Sequence, residues 1–148
     1  MELETEVLKI IADYEAAIFS KDNAVIANLM SFPFEVIVKG RKKHYYQNQA
    51  QMMARLETFR AIHKKLGIAA ISREVVKVHQ THADEALAFT LDTARNAEGE
   101  VVTSWRTSFY VKRTPQGVKL VKADSTDQNR AMTELGFPLY EAKSVSFS

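Results

Sequence analysis

The strongest constraint on this chain is a change of hydrophobic period part-way along it. Apolar residues recur every three to four positions up to residue 66, then every second position from 69 to 126, where three turn signals interrupt the alternation. Helices and strands segregated in this way pack as a helical layer on an antiparallel sheet rather than as alternating βαβ units, so the pattern predicts an α+β fold.

Leu3, Val7, Ile10, Ile11, Tyr14, Ala17 and Ile18 form one helical stripe, and Glu2, Glu4 and Glu6 suit the positive end of a helix dipole, which predicts a first helix over 4–19. Asp22 is placed to cap a short second helix carrying Ala24, Val25, Leu29 and Met30, ended by Pro33. Residues 34–38 read as one isolated strand, followed by a basic turn over 39–43. Asn48 and Gln51 make a capping-box-like start to a third helix that stops at Lys64, Lys65 and Gly67; its stripe is Met52, Leu56, Phe59, His63 and Leu66.

Four longer strands follow, over 69–80, 85–96, 101–113 and 117–126. The last turn is the clearest, since Pro115 pre-sets its first central position and Gly117 suits its end. Strands longer than the usual five or six residues predict a sheet that bends around the helices and encloses a cavity.

A length of 148 residues suits a single domain, placed at 1–128, with a tail over 129–148. The tail's Phe137, Leu139, Tyr140 and Phe147 are expected to dock on the domain or on a partner subunit. A hydrophobic content of 46% with 26% charged residues is that of a globular chain, and the net charge of +2 is spread among interleaved acids and bases. Neither a nucleic acid nor an anionic membrane is therefore an expected partner. With no cysteine, thiol nucleophiles, disulfides and cysteine-ligated metals are out of reach. The acidic start lacks the pattern of a signal peptide, and the expected location is cytoplasmic.

A helical hairpin, a strand, a third helix and a four-strand meander, together with Asp13-Tyr14-Glu15-Ala16-Ala17-Ile18-Phe19-Ser20-Lys21-Asp22, resemble the nuclear-transport-factor-2-like superfamily, which includes SnoaL-like polyketide cyclases and ketosteroid isomerases. The closing Val118-Lys119-Leu120-Val121-Lys122-Ala123-Asp124 is similar to that superfamily's last strand, with Val118 where tryptophan is frequent. The resemblance covers about 5–126 and implies a cystatin-like cone: three N-terminal helices on a long, curved antiparallel sheet. It also implies a homodimer joined through the outer sheet face. Such folds host isomerases, dehydratases, cyclases and binding proteins, so the residues must choose among them.

Tyr14 matches the oxyanion-stabilising tyrosine of the isomerases, whose phenol donates to a developing enolate; otherwise it is a core tyrosine at the cavity edge. The position of the isomerase base corresponds to Val38, which cannot accept a proton. Asp92 and Asp124 are strand acids able to serve as general acid or base. Placing the bulky Leu87, Phe89 and Leu91 against the helices turns Asp92 outward with Ala86, Ala88 and Thr90, whereas Asp124 suits a capping role beside Ser125, Thr126 and Asp127. Trp105, Thr107, Phe109 and Val111 share a face that forms either plain core or an aromatic pocket. Arg106, Ser108, Tyr110 and Lys112, joined by Thr90 and Asp92, form the opposite face and the expected dimer contact. His79 and His82 fall on opposite faces of a strand and make no metal set. His44, beside Tyr45 and Tyr46, lies near the expected mouth, to meet an anion or simply solvent.

These readings combine into a SnoaL-like protein holding a small apolar or aromatic molecule. Tyr14, Trp105, Phe109, Phe89, Phe59 and Asp124 are its pocket candidates, with no metal and no organic cofactor. Either it moves a proton on a carbonyl compound, or it is a non-catalytic binding or adaptor module.

Overall fold

The computed structural model describes residues 2–41 and 43–140. Helix α1 (Leu3–Ser20) buries Leu3, Val7, Ile10, Ile11 and Ala17. It closes where Lys21 adopts a left-handed φ of 59° and Asp22 N–H reaches back to the Ala17 carbonyl at 2.9 Å. The Asp22 side chain then accepts from Val25 N–H at 3.2 Å and caps α2 (Asn23–Asn28).

Strand β1 (Met30–Ile37) begins four residues earlier than its sequence suggests and runs through Pro33. The cause is tertiary: Leu120 N–H donates to the Leu29 carbonyl at 2.8 Å, and Met30 pairs with Leu120 of the last strand. The register slips between Met30 and Glu35, around the proline that has no N–H to offer. The strand is not isolated. It pairs antiparallel with β2 (His44–Tyr46), which lies just after the basic turn. Helix α3 (Gln49–Lys65) follows, with Asn48 Oδ1 accepting from Gln51 N–H at 3.0 Å and Gln51 Oε1 accepting from Gln47 N–H at 2.8 Å.

The meander consists of β3 (Ala70–His82), β4 (Glu85–Arg95), β5 (Val101–Thr114) and β6 (Gly117–Asp124), each paired antiparallel with the next. Because β1 joins β6 in parallel, the six-stranded sheet is mixed, in the order β2-β1-β6-β5-β4-β3. Helix α1 packs on β3, β4 and β6, and α3 reaches α2 and β2, so the helices cover one face of the sheet.

Helix α4 (Thr126–Glu134) packs on β5. Asp124 Oδ1 accepts from Thr126 N–H at 3.0 Å and from its hydroxyl at 2.6 Å, and so ties the end of β6 to the start of α4. Beyond α4, buried Asn129 presents Oδ1 to the N–H groups of Leu139 (3.0 Å) and Tyr140 (2.8 Å), both of which are buried in the core. Phe137 is half-buried, and Phe147 lies outside the described residues.

One expectation about the sheet's faces is overturned. On β4 the small set Ala86, Ala88, Thr90, Asp92 and Ala94 is buried toward the helices, and Leu87, Phe89 and Leu91 are half-buried on the other face. Asp92 is 0% exposed. Where α1 and the large side chains of β5 crowd the inner face, β4 has room only for small residues. Side-chain volume, not hydrophobicity alone, therefore set the register of inside and outside.

Candidate functional site

Between α1, α3 and the inner face of the sheet lies a cavity of about 620 Å³. Helix α1 contributes Tyr14 and Ile18, β1 contributes Phe34 and Val36, and α3 contributes Met52, Leu56, Phe59 and His63 from successive turns. Strand β5 supplies Trp105, Thr107 and Phe109, three alternate residues on its buried face. Of the six pocket candidates, Tyr14, Phe59, Trp105 and Phe109 line this space. The other two do not: Phe89 faces away from the helices, and Asp124 is spent on the β6–α4 junction.

The polar wall is a row across three strands. Arg73 on β3 pairs with Asp92 on β4, which pairs with Trp105 on β5. Directly opposed residues share a face, so the three side chains stand side by side. Arg73 Nε donates to Asp92 Oδ1 at 3.0 Å. The Thr90 hydroxyl donates to the same oxygen at 3.0 Å, and the Thr107 hydroxyl donates to Oδ2 at 2.8 Å. A buried carboxylate is tolerable only with such a counter-charge and donors. Three donors also hold Asp92 as a structural anchor, away from the work of a general base.

The Arg73 guanidinium stacks over the rings of Tyr14 and Phe109, at 5.4 Å and 5.1 Å from their centroids. Those rings lie 5.8 Å apart, tilted by 57°. Burial raises the Tyr14 pKa above the ordinary phenol value against the opposing pull of Arg73, so the side chain stays a protonated donor at neutral pH. Val38 is buried core.

Two buried nitrogens on the cavity wall have no hydrogen-bond partner among the described residues: Trp105 Nε1 and His63 Nε2. Desolvation lowers the His63 pKa from its ordinary value, which keeps its imidazole neutral near pH 7. At another part of the wall, the Tyr46 and Tyr140 hydroxyls meet at 2.8 Å, and burial raises both pKa values. Arg55 lies over the Phe59 and Tyr140 rings at 4.8 Å and 4.9 Å, and the His44 ring lies 4.8 Å from that of Tyr140. The segment after α4 thus closes part of the cavity.

Sequence reasoning missed Arg73 and the inward turn of Asp92, and it treated His63 only as a stripe residue. The signal was present in β3, where Arg73 is in phase with Ile71 and Val75. Among the described residues no cluster of acids and histidines could hold a metal ion, and no helix is long and apolar enough to cross a membrane.

Residues 4–128 match the family described as NTF2-like protein (DUF6841). The chain belongs to this NTF2-like family. Solved structures agree on the fold. An NTF2-like protein with a cystatin-like fold from Novosphingobium aromaticivorans is 20% identical, with a TM-score of 0.62 over 82% of this chain and 79% of that one. A domain of unknown function with a cystatin-like fold from Nostoc punctiforme is 13% identical, with a TM-score of 0.65 over 82% and 74%. A ketosteroid isomerase-like protein from Erwinia carotovora atroseptica is 16% identical, with a TM-score of 0.57 over 81% and 92%. No curated protein matches the chain. At these identities the likeness is one of fold, and chemistry has to be argued from the NTF2-like cavity itself.

Proposed function

We propose that this NTF2-like protein binds a small apolar or aromatic molecule in the cavity between its helices and sheet. The observation that carries the reading is an aromatic-walled space of about 620 Å³ on which two buried polar nitrogens, Trp105 Nε1 and His63 Nε2, lack a partner. A buried polar atom left unpaired costs free energy that a hydrogen-bonding group of a ligand would recover. The volume suits a compound of two or three fused rings. Trp105 is the sole tryptophan, so occupancy can be read from its fluorescence. Titration with naphthol-, flavone- and steroid-sized ketones should change that emission and raise Tm, by about 2.7 kcal/mol in stability at a hundredfold excess over Kd. A full set of such compounds that moves neither signal would overturn the reading.

A specific observation supports proton transfer as a second reading. His63 combines a neutral ring, a free Nε2 and a place on the wall, whereas Asp92 is fully engaged. In this reading His63 takes a proton from the carbon next to a bound carbonyl, and the Tyr14 hydroxyl donates to the enolate oxygen. Deuterium exchange at that carbon, followed by NMR, should be lost in His63→Gln with ligand affinity retained. Binding without exchange in the wild-type protein would instead leave a non-catalytic binding module.

A further inference from the structure

We infer that Arg73 is an anion-recognition residue and that the cavity's ligand is a monoanionic carboxylic acid with a flat apolar body. The inference rests on the small-molecule reading above and names the ligand class.

Arg73 is held in a particular way. Its side chain is 14% exposed, and Asp92 engages it through Nε alone, at 3.0 Å. The backbone N–H of Arg73 is fixed as well, donating to Glu15 Oε1 at 3.1 Å. Neither Nη atom makes a hydrogen bond to a described residue, although Arg73 lines the cavity. A guanidinium anchored at one edge keeps further N–H donors in a rigid plane, and that geometry matches the two oxygens of a carboxylate. Stacking on Tyr14 and Phe109 fixes the orientation of the plane.

The neighbouring groups are donors too. Trp105 Nε1 can only donate and is unpaired, and the Tyr14 hydroxyl is kept protonated by its burial. Donors gathered on an apolar wall call for an acceptor-rich ligand group. Charge narrows the class further. Asp92 and Glu15 together outweigh Arg73, which disfavours a phosphate dianion; a single carboxylate is held by the directed N–H donors of the guanidinium rather than by net charge. The cavity of about 620 Å³ sets the size, with room for a carboxylate and one or two rings.

The test compares 4-phenylbutyrate with its neutral counterpart 4-phenylbutanamide, by calorimetry and by Trp105 emission. The wild-type protein should bind the acid about tenfold or more tightly than the amide, the usual advantage of a charge-assisted hydrogen bond. Arg73→Gln should erase that preference and leave amide affinity in place. Because Arg73→Gln strands the Asp92 charge, the Arg73→Gln/Asp92→Asn double variant, checked for folding by circular dichroism, carries the same expectation without a buried unpaired ion. Equal binding of acid and amide by the wild type would overturn the carboxylate assignment and leave the cavity reading standing. An acid preference that survives in the folded double variant would overturn the role of Arg73. If neither compound binds or alters Trp105 emission, the inference fails, and the ketone titration decides separately whether the cavity reading stands.

Discussion

Removing one partner of the Arg73–Asp92 pair should destabilise the fold asymmetrically, and the asymmetry follows from exposure. Asp92 is 0% exposed and Arg73 is 14% exposed on a cavity wall. Arg73→Met would leave a carboxylate sealed from water with only the Thr90 and Thr107 hydroxyls as donors. Stranding a buried charge in this way costs about 3–5 kcal/mol. Asp92→Asn, which fills the same space, would leave the arginine without a counter-charge, free to turn toward the cavity and hydrate. The amide oxygen still accepts from the Thr107 hydroxyl, and the Thr90 hydroxyl keeps its contact to the Thr107 carbonyl at 3.4 Å, so the loss is chiefly the charge-assisted bond, about 1.5–3 kcal/mol. The Arg73→Met/Asp92→Asn double variant removes both charges and should recover to within about 2 kcal/mol of the wild type. Urea unfolding followed by circular dichroism and by Trp105 emission measures all four proteins, with linear extrapolation to water. The coupling energy of the cycle should be about 2 kcal/mol or more. Single variants that each cost less than about 1 kcal/mol, or a double variant as unstable as the two costs added, would refute the reasoning.

Three further outcomes are expected. Burial lowers the folded-state pKa of His63, so between that value and the unfolded value of about 6.5 the unfolded chain binds more protons; stability should fall as pH drops below about 6.5, and His63→Gln should flatten that limb in unfolding curves taken from pH 8 to 5. Asn129→Ala deletes the acceptor shared by the Leu139 and Tyr140 N–H groups and should cost about 1–3 kcal/mol, with faster hydrogen exchange at those two amides as the direct readout. We also propose that the outer sheet face, with half-buried Leu87, Phe89 and Leu91, joins two copies; light scattering should then give a dimer mass that Phe89→Glu shifts toward the monomer, and a monomeric wild-type protein would sink the idea.

The elements with local causes were legible in the sequence. The α1 stripe, the Asp22 cap, the Asn48–Gln51 start of α3 and the three hairpins each depend on residues within a few positions of one another. The alternation of β5 also placed Trp105, Thr107 and Phe109 on the buried face. What failed had a remote cause. Strand β2 is three residues long, too short to show a period, and exists because β1 offers it an edge. The early start of β1 comes from pairing with β6, whose sequence is more than eighty positions away. Asp124 suits either a pocket acid or a cap by sequence, and its bonds to Thr126 decide for the cap.

By itself, then, the sequence determined the α+β division, because amphipathic period is a local property that each segment carries wherever it packs. It could not determine which parity of β4 faces inward. The apolar set and the small set alternate equally well, and only the volume left by α1, Trp105 and Phe109 separates them. That choice buried Asp92, drew in Arg73 from the next strand, and put a cation with free donors on an aromatic wall. The chemistry of the site was therefore decided by tertiary packing: burial makes a carboxylate and a guanidinium seek each other, and only the assembled sheet brings them within 3.0 Å.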